Sequence, residues 1–245
     1  MNIVVASSRG RGLKEFLPTK TKVKVIGGGS INRLKNEAMK LLPPPHGRKR
    51  AHIYFVCGIP DITSLDRIPG ENYSESVYQE LPHVTVDRYV KKIKNCQNFF
   101  VERGAVPVFA TIPRVNLAKY NLYLLLNKIT SHLKHSDQYK IMQENLDQAI
   151  DNINDQIYEI NNKIKVSTPF LHHSIRERRG CKGKRYTSFR WEKLFDGLHA
   201  SKDLHPVWAE ILSKSFALNN LLLEDSESEE EERPWRRSAK RPGVE

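Results

Sequence analysis

Four short apolar runs mark the first half of the chain: "IVVA" (3–6), "VKVI" (23–26), "IYFVC" (53–57) and "VPVFATI" (106–112). β-Branched and aromatic residues dominate them, and each ends at a Gly, Pro or Ser cluster, as strands buried on both faces do. Between them the apolar period lengthens to that of a helix. In "INRLKNEAMKLL" (31–42), Ile31, Leu34, Ala38 and Leu41 share one face ahead of a "PPP" stop. Over 86–104, Val86, Tyr89, Val90, Ile93 and Phe100 align, and Gly104 offers a C-terminal cap. Helices are also expected over 116–133 and 206–218. Strands alternating with helices predict a three-layer α/β/α sandwich around a parallel five-stranded sheet in flavodoxin-like order.

The segment 138–165 carries a longer pattern. Leu146, Ile150, Ile153, Ile157, Ile160 and Ile164 repeat at alternating spacings of four and three, which predicts a long amphipathic helix. Its seam packs on the sheet in one reading; in the other the helix forms a homodimer contact. Residues 172–193 then hold eight bases and two acids with Gly180 and Gly183 and no helical period, and read as a basic loop or β-hairpin. One domain is therefore expected over 1–222, followed by an acidic and then basic tail over 223–245, poor in apolar residues and expected to be disordered. The tail's "RPWRRSAKRP" resembles a nuclear import signal.

Charge sharpens this picture. The formal net charge is +12, and because the tail holds eight acids and five bases, residues 1–222 carry 35 bases against 20 acids. A body this basic attracts polyanions. Arg176, Arg178, Arg179, Lys182, Lys184 and Arg185, with Tyr186, Phe189 and Trp191 among them, form a candidate surface for RNA or single-stranded DNA. No run approaches the length of a membrane span, and the N-terminus lacks the pattern of a secretory signal. Three scattered cysteines (Cys57, Cys96, Cys181) argue for a reducing compartment, cytoplasmic or nuclear. His172 and His173 with Cys181 lack zinc-ligand spacing and a fourth partner, so no metal is expected. "RGRG" (9–12) and "GGGS" (27–30) complete no nucleotide-binding pattern, and no cofactor is expected.

Ligands of an open parallel sheet bind outside the carboxyl ends of its strands. Those ends carry "ASSRGRG", "GGGS", "GIPD" and "TIPR", and "DGLH" (196–199) precedes the last helix. The spacing of Asp196 and His199 lets one short turn aim a carboxylate at an imidazole. A serine on the first strand's exit then completes the arrangement in which histidine takes the serine proton.

These blocks, in this order, resemble the SGNH (GDSL-type) hydrolases over roughly residues 2–220. "VVASSRGRGL" is similar to the family's first block, with the "RGL" of its retroelement- and virus-associated branch; "IGGGSINRL", "VCGIPDIT" and "DGLHAS" are similar to the second, third and last. The resemblance implies a serine esterase with Ser8 as nucleophile, His199 as base and Asp196 as its orienting partner. It also implies an oxyanion hole that includes the backbone N–H groups of Ser8 and Gly28, and an ester substrate. Two positions depart from the pattern. Ser7 stands where the family has Asp, and Pro60 where it has an Asn that helps hold the oxyanion. Proline has no donor to offer, so the alternative is a silent module of the same fold that binds nucleic acid or protein through its basic face.

Overall fold

The computed structural model describes residues 1–43, 50–67, 74–127, 133, 135–181 and 184–231, with the backbone alone at 67, 74, 178–181, 184–186 and 223–231. Strands β1 (Asn2–Ser7), β2 (Lys22–Ile26) and β3 (His52–Val56) coincide with the first three apolar runs. β4 (Ser64–Arg67) and β5 (Ser74–Val77) form an antiparallel hairpin, and β6 (Val106–Phe109) takes up the fourth run. The central sheet is parallel, in the order β2-β1-β3-β6.

Alternation along the strands separates two cores. Ile3, Val5, Ile53, Phe55 and Phe109 face helices α1 (Ile31–Leu41), α3 (Pro82–Val101) and α5 (Tyr139–Lys163). Val4, Ala6, Tyr54, Val56 and Val108 face the fully buried Trp208 of α6 (Leu204–Glu231). This is the expected three-layer sandwich. On the β2 edge, Lys22 and Lys24 point outward, which blunts that strand as a template for further pairing.

The sheet has four strands rather than the expected five, and α5 shows why. At the open edge of β6 and just beyond it, asparagine side chains take the place of a neighbouring strand. Asn161 accepts from Phe109 N–H (3.1 Å) and donates to Phe109 C=O (2.7 Å). Two turns earlier, Asn154 does the same for Ile112 (2.6 and 2.9 Å). A side-chain amide has the donor and acceptor of a peptide group, so backbone that would be unsatisfied in the interior is paired without a fifth strand. Asn154→Leu is expected to leave both Ile112 groups buried and unpaired, lowering stability by about 2–4 kcal/mol. Urea unfolding of the two proteins measures the loss.

The isoleucine seam of α5 packs inside the chain: Leu146, Ile150, Ile153, Ile157 and Ile160 are all buried in the core it shares with α3. A homodimer through this helix would have only its outer face to use. The seam's period reported burial, and the burial is internal.

The basic segment is a hairpin, β7 (Arg176–Cys181) with β8 (Lys184–Phe189). Arg114 holds its base by ion pairs to Asp147 (2.9 Å) and Asp151 and by standing 4.4 Å over the Phe189 ring. The last helix runs to Glu231, past the expected boundary at 222, because a glutamate-rich run propagates a helix already under way. The nuclear-import-like segment lies outside the described residues.

One buried group makes stability depend on pH. Burial, aided by the N-terminal ammonium, pushes the pKa of His52 down to about 4. The neutral ring therefore contributes stability above the unfolded value near 6.5, and loses it as pH falls from there towards 4. The expected loss is about 3 kcal/mol. His52→Phe should flatten that part of the profile, read as unfolding midpoints at pH 7 and pH 4.5.

Candidate active site

β1 ends at Ser7, and Ser8 opens a short 3₁₀ turn (Ser8–Gly10) at the carboxyl edge of the sheet. The turn folds back closely enough that a Cβ on Gly10 would stand 2.5 Å from the Ala6 Cβ. That glycine is required by packing, so "RGRG" is a tight strand exit rather than a phosphate cradle. Ser7 is 1% exposed, with no partner for its hydroxyl among the described residues. Ser8 is half-buried and lines a cavity of about 370 Å³.

Asp196 and His199 come from a loop that closes on itself. Leu194 and Ala200 form an isolated bridge, and the Phe195 N–H donates to the His199 carbonyl (2.9 Å). Gly197 turns with φ +91°, and a Cβ there would meet the Asn116 carbonyl at 2.7 Å. Asp196 Oδ1 accepts the N–H groups of Leu198 (2.9 Å) and His199 (2.7 Å), as short acidic side chains do in turns. Helix α4 (Leu117–Leu126) braces the loop, with Lys119 Nζ donating to the carbonyls of Trp191 (2.9 Å) and Leu194 (2.6 Å).

Three of the sequence-predicted residues therefore meet. His199 Nδ1–H donates to Asp196 Oδ2 (2.6 Å), which leaves Nε2 to accept from Ser8 Oγ–H (3.0 Å), across 191 residues of sequence. Burial pushes the Asp196 carboxyl up, but the His199 ring and the backbone N–H groups outweigh it and hold its pKa below the usual value. The carboxylate stays charged, and the charge fixes the imidazole tautomer.

The other predicted residues are placed differently. Gly28 has φ +60° in the turn after β2, and neither it nor Pro60 lines the cavity among the described residues. Pro60 sits in the first turn of α2 (Ile59–Ile62), where a missing N–H costs nothing. Its neighbour Asp61 carries more of the architecture. The Asp61 carboxylate accepts the Ile31 N–H at the start of α1 (2.7 Å) and the Lys92 ammonium (2.8 Å), tying the third strand's exit to the second's. Of the basic hairpin, Arg176 pairs with Asp151 (3.2 Å) and Phe189 stacks on Trp191, so these groups are engaged within the chain. The side chains of Arg178, Arg179, Lys182, Lys184 and Arg185 lie outside the described residues. His172 Nδ1 is hydrogen-bonded to Thr111 Oγ1 (2.8 Å).

Cavity residues that the sequence reading did not single out include Arg9, Arg11, Tyr120 and Phe195. Tyr120 meets His199 edge-on at 6.3 Å, and Phe195 meets Tyr123 in the same way at 5.1 Å. The tyrosines stand three apart in "KYNLY", a spacing that marks one helix face but not what the face covers.

Among the described residues no helix is long and apolar enough to cross a membrane. No protein-family model matches the chain, and no curated protein matches its sequence. Solved structures do match it. A Bacteroides fragilis protein provisionally assigned as an acylhydrolase is 14% identical, with 90% of this chain and 87% of that one covered at a TM-score of 0.57. A GDSL-like lipase of Bacteroides thetaiotaomicron is 11% identical, with 87% and 85% covered at 0.53. At such identities the likeness is one of architecture, and the chain has the fold of the GDSL-like hydrolases.

Proposed function

We propose that the protein is an SGNH-like serine esterase in which Ser8, His199 and Asp196 act as a triad. The carrying observation is the unbroken hydrogen-bond line from Asp196 through His199 to Ser8 in the lining of a cavity. In this reading Ser8 Oγ attacks the ester carbonyl while His199 Nε2 takes its proton. Asp196 holds the tautomer and balances the imidazolium. The oxyanion is held by the Ser8 N–H; Gly28, which the family resemblance gives the same role, does not line the cavity among the described residues. His199 then protonates the departing alkoxide, and water, deprotonated by the same nitrogen, releases the acid and restores Ser8.

Pro60 removes the side-chain donor that the family resemblance leads one to expect, and one such donor is worth about 10²–10³ in turnover. A slow esterase is therefore the form the reading takes. The "RGL" after Ser8 supports a place in the retroelement- and virus-associated branch. The test is the initial rate of p-nitrophenyl butyrate hydrolysis. Turnover above the buffer rate that an organophosphonate blocks is expected; no turnover by well-folded protein contradicts the proposal.

A further inference from the structure

A buried cation ordinarily has a counter-charge, because desolvating it alone is costly. Arg9, directly after Ser8, does not have one to itself. Arg9 is among the residues that line the cavity and is 5% exposed. Nη1 donates to the Pro113 carbonyl (3.0 Å), and the guanidinium carbon lies 5.5 Å from the Trp208 ring centroid. Nε and Nη2 have no hydrogen-bond partner among the described residues. Burial pushes the guanidinium pKa down to about 9, opposed by the charge of Asp196. That carboxylate is already engaged by His199 and two backbone N–H groups.

Arg11, on the same turn, adds a second cation to the lining. It is exposed and reaches towards the exit of β2, where its Nη2 would lie 3.9 Å from a Cβ on Gly27. Asp196 is the only carboxylate among the described residues lining the cavity. His205, also in the lining, has its pKa lowered by burial and adds no negative charge. The remaining surface is apolar or aromatic, from Tyr120, Tyr123, Leu124 and Phe195. The cavity beside the candidate nucleophile thus combines unsatisfied positive charge with an aromatic lining.

We infer that this cavity takes anionic esters, molecules that place a carboxylate-like group against Arg11, in the field of the buried Arg9 charge, and an apolar part against Tyr120, Tyr123 and Phe195. The inference rests on the esterase reading for its chemistry, but the complementarity is a binding property and is measured separately. An incoming anion supplies the counter-charge that Arg9 lacks, and charge-assisted hydrogen bonds between it and the exposed Arg11 are stronger than neutral ones.

The probes are the p-nitrophenyl monoester of glutaric acid and p-nitrophenyl pentanoate, which have acyl chains of equal carbon count with and without a terminal carboxylate. Binding is measured by calorimetry on Ser8→Ala protein, which cannot turn either over through Ser8, and kcat/KM on the unaltered protein. The glutarate ester is expected to bind at least about tenfold tighter and to be favoured similarly in kcat/KM, the scale of one charge-assisted hydrogen bond. Arg11→Gln, an exposed change that leaves the buried Arg9 packing intact, should bring the ratio close to one. Arg9→Gln should do the same where it folds. Equal binding of the two esters, or a preference that survives Arg11→Gln, overturns the inference and leaves the esterase standing. Tenfold tighter binding without Ser8-dependent turnover overturns the esterase and supports the anion site.

Discussion

Ser8→Ala and His199→Ala are each expected to lower kcat for a p-nitrophenyl ester by about 10⁴–10⁶, and the double variant by no more than either alone. In the proposed triad the nucleophile and its base act as one unit. Without the Ser8 hydroxyl no acyl-enzyme forms; without the imidazole the hydroxyl keeps its proton, since His199 Nε2 at 3.0 Å is its acceptor. Once one member is lost, little remains for the second to lose. Comparing kcat across the two single variants and the double checks this. Losses that multiply would mean that Ser8 and His199 contribute independently, which a triad does not allow. Circular dichroism establishes that each variant is folded. Ser8 lies in a turn at the cavity, so Ser8→Ala removes one hydroxyl without opening the core.

Asp196→Asn should cost about 10⁴ in kcat through a different cause. The amide can keep its place in the loop, but its NH₂ group can face Nδ1 as a donor, which stabilises the tautomer with the proton on Nε2. That nitrogen can then no longer take the serine proton. The same substitution has a pH signature in stability. The Asp196 carboxyl is held below its unfolded value by the His199 ring and by two backbone N–H groups, which outweigh the opposing effect of burial. A carboxyl shifted in this direction contributes stability above its unfolded pKa, near 3.9, and loses it as pH falls through the folded value. The unfolding midpoint of the unaltered protein should therefore exceed that of Asp196→Asn at pH 7, and the gap should close below about pH 4. A gap that stayed constant across this range would mean that the carboxylate charge is not what holds the loop.

The sheet was legible because β1 and β3 are buried on both faces, so "IVVA" and "IYFVC" had to be continuous apolar runs. Asp196 and His199 were legible for a local reason: three residues is the span of one turn, and the loop closes without help from distant sequence. From its own residues Ser8 was legible as a strand-exit serine, and as a nucleophile through the family resemblance; its meeting with His199 depends on both lying at the same edge of the sheet.

What escaped the sequence depended on partners far along the chain. Asn154 and Asn161 interrupt an isoleucine seam and read as its polar margin, yet both are buried against the β6 edge and stand in for a strand. The hairpin β4–β5 is short and polar, with Glu75 and Ser76 buried through hydrogen bonds rather than apolar contact. Nothing in the glycine-rich "RGRG" marks Arg9 as buried. Its burial beside Trp208 depends on where α6 lies, which no local pattern records. Pro60 stood out as a departure, whereas its neighbour Asp61, which ties the loops together, did not.

The central claim is that Ser8 is a nucleophile activated by His199. Intact-protein mass spectrometry after treatment with a fluorophosphonate tests it most directly, with peptide mapping to locate the adduct. One phosphonyl group per chain is expected, on the peptide containing Ser8, and it should be absent from both Ser8→Ala and His199→Ala proteins. A well-folded chain that gains no adduct, or gains one elsewhere that survives in Ser8→Ala, would contradict the account.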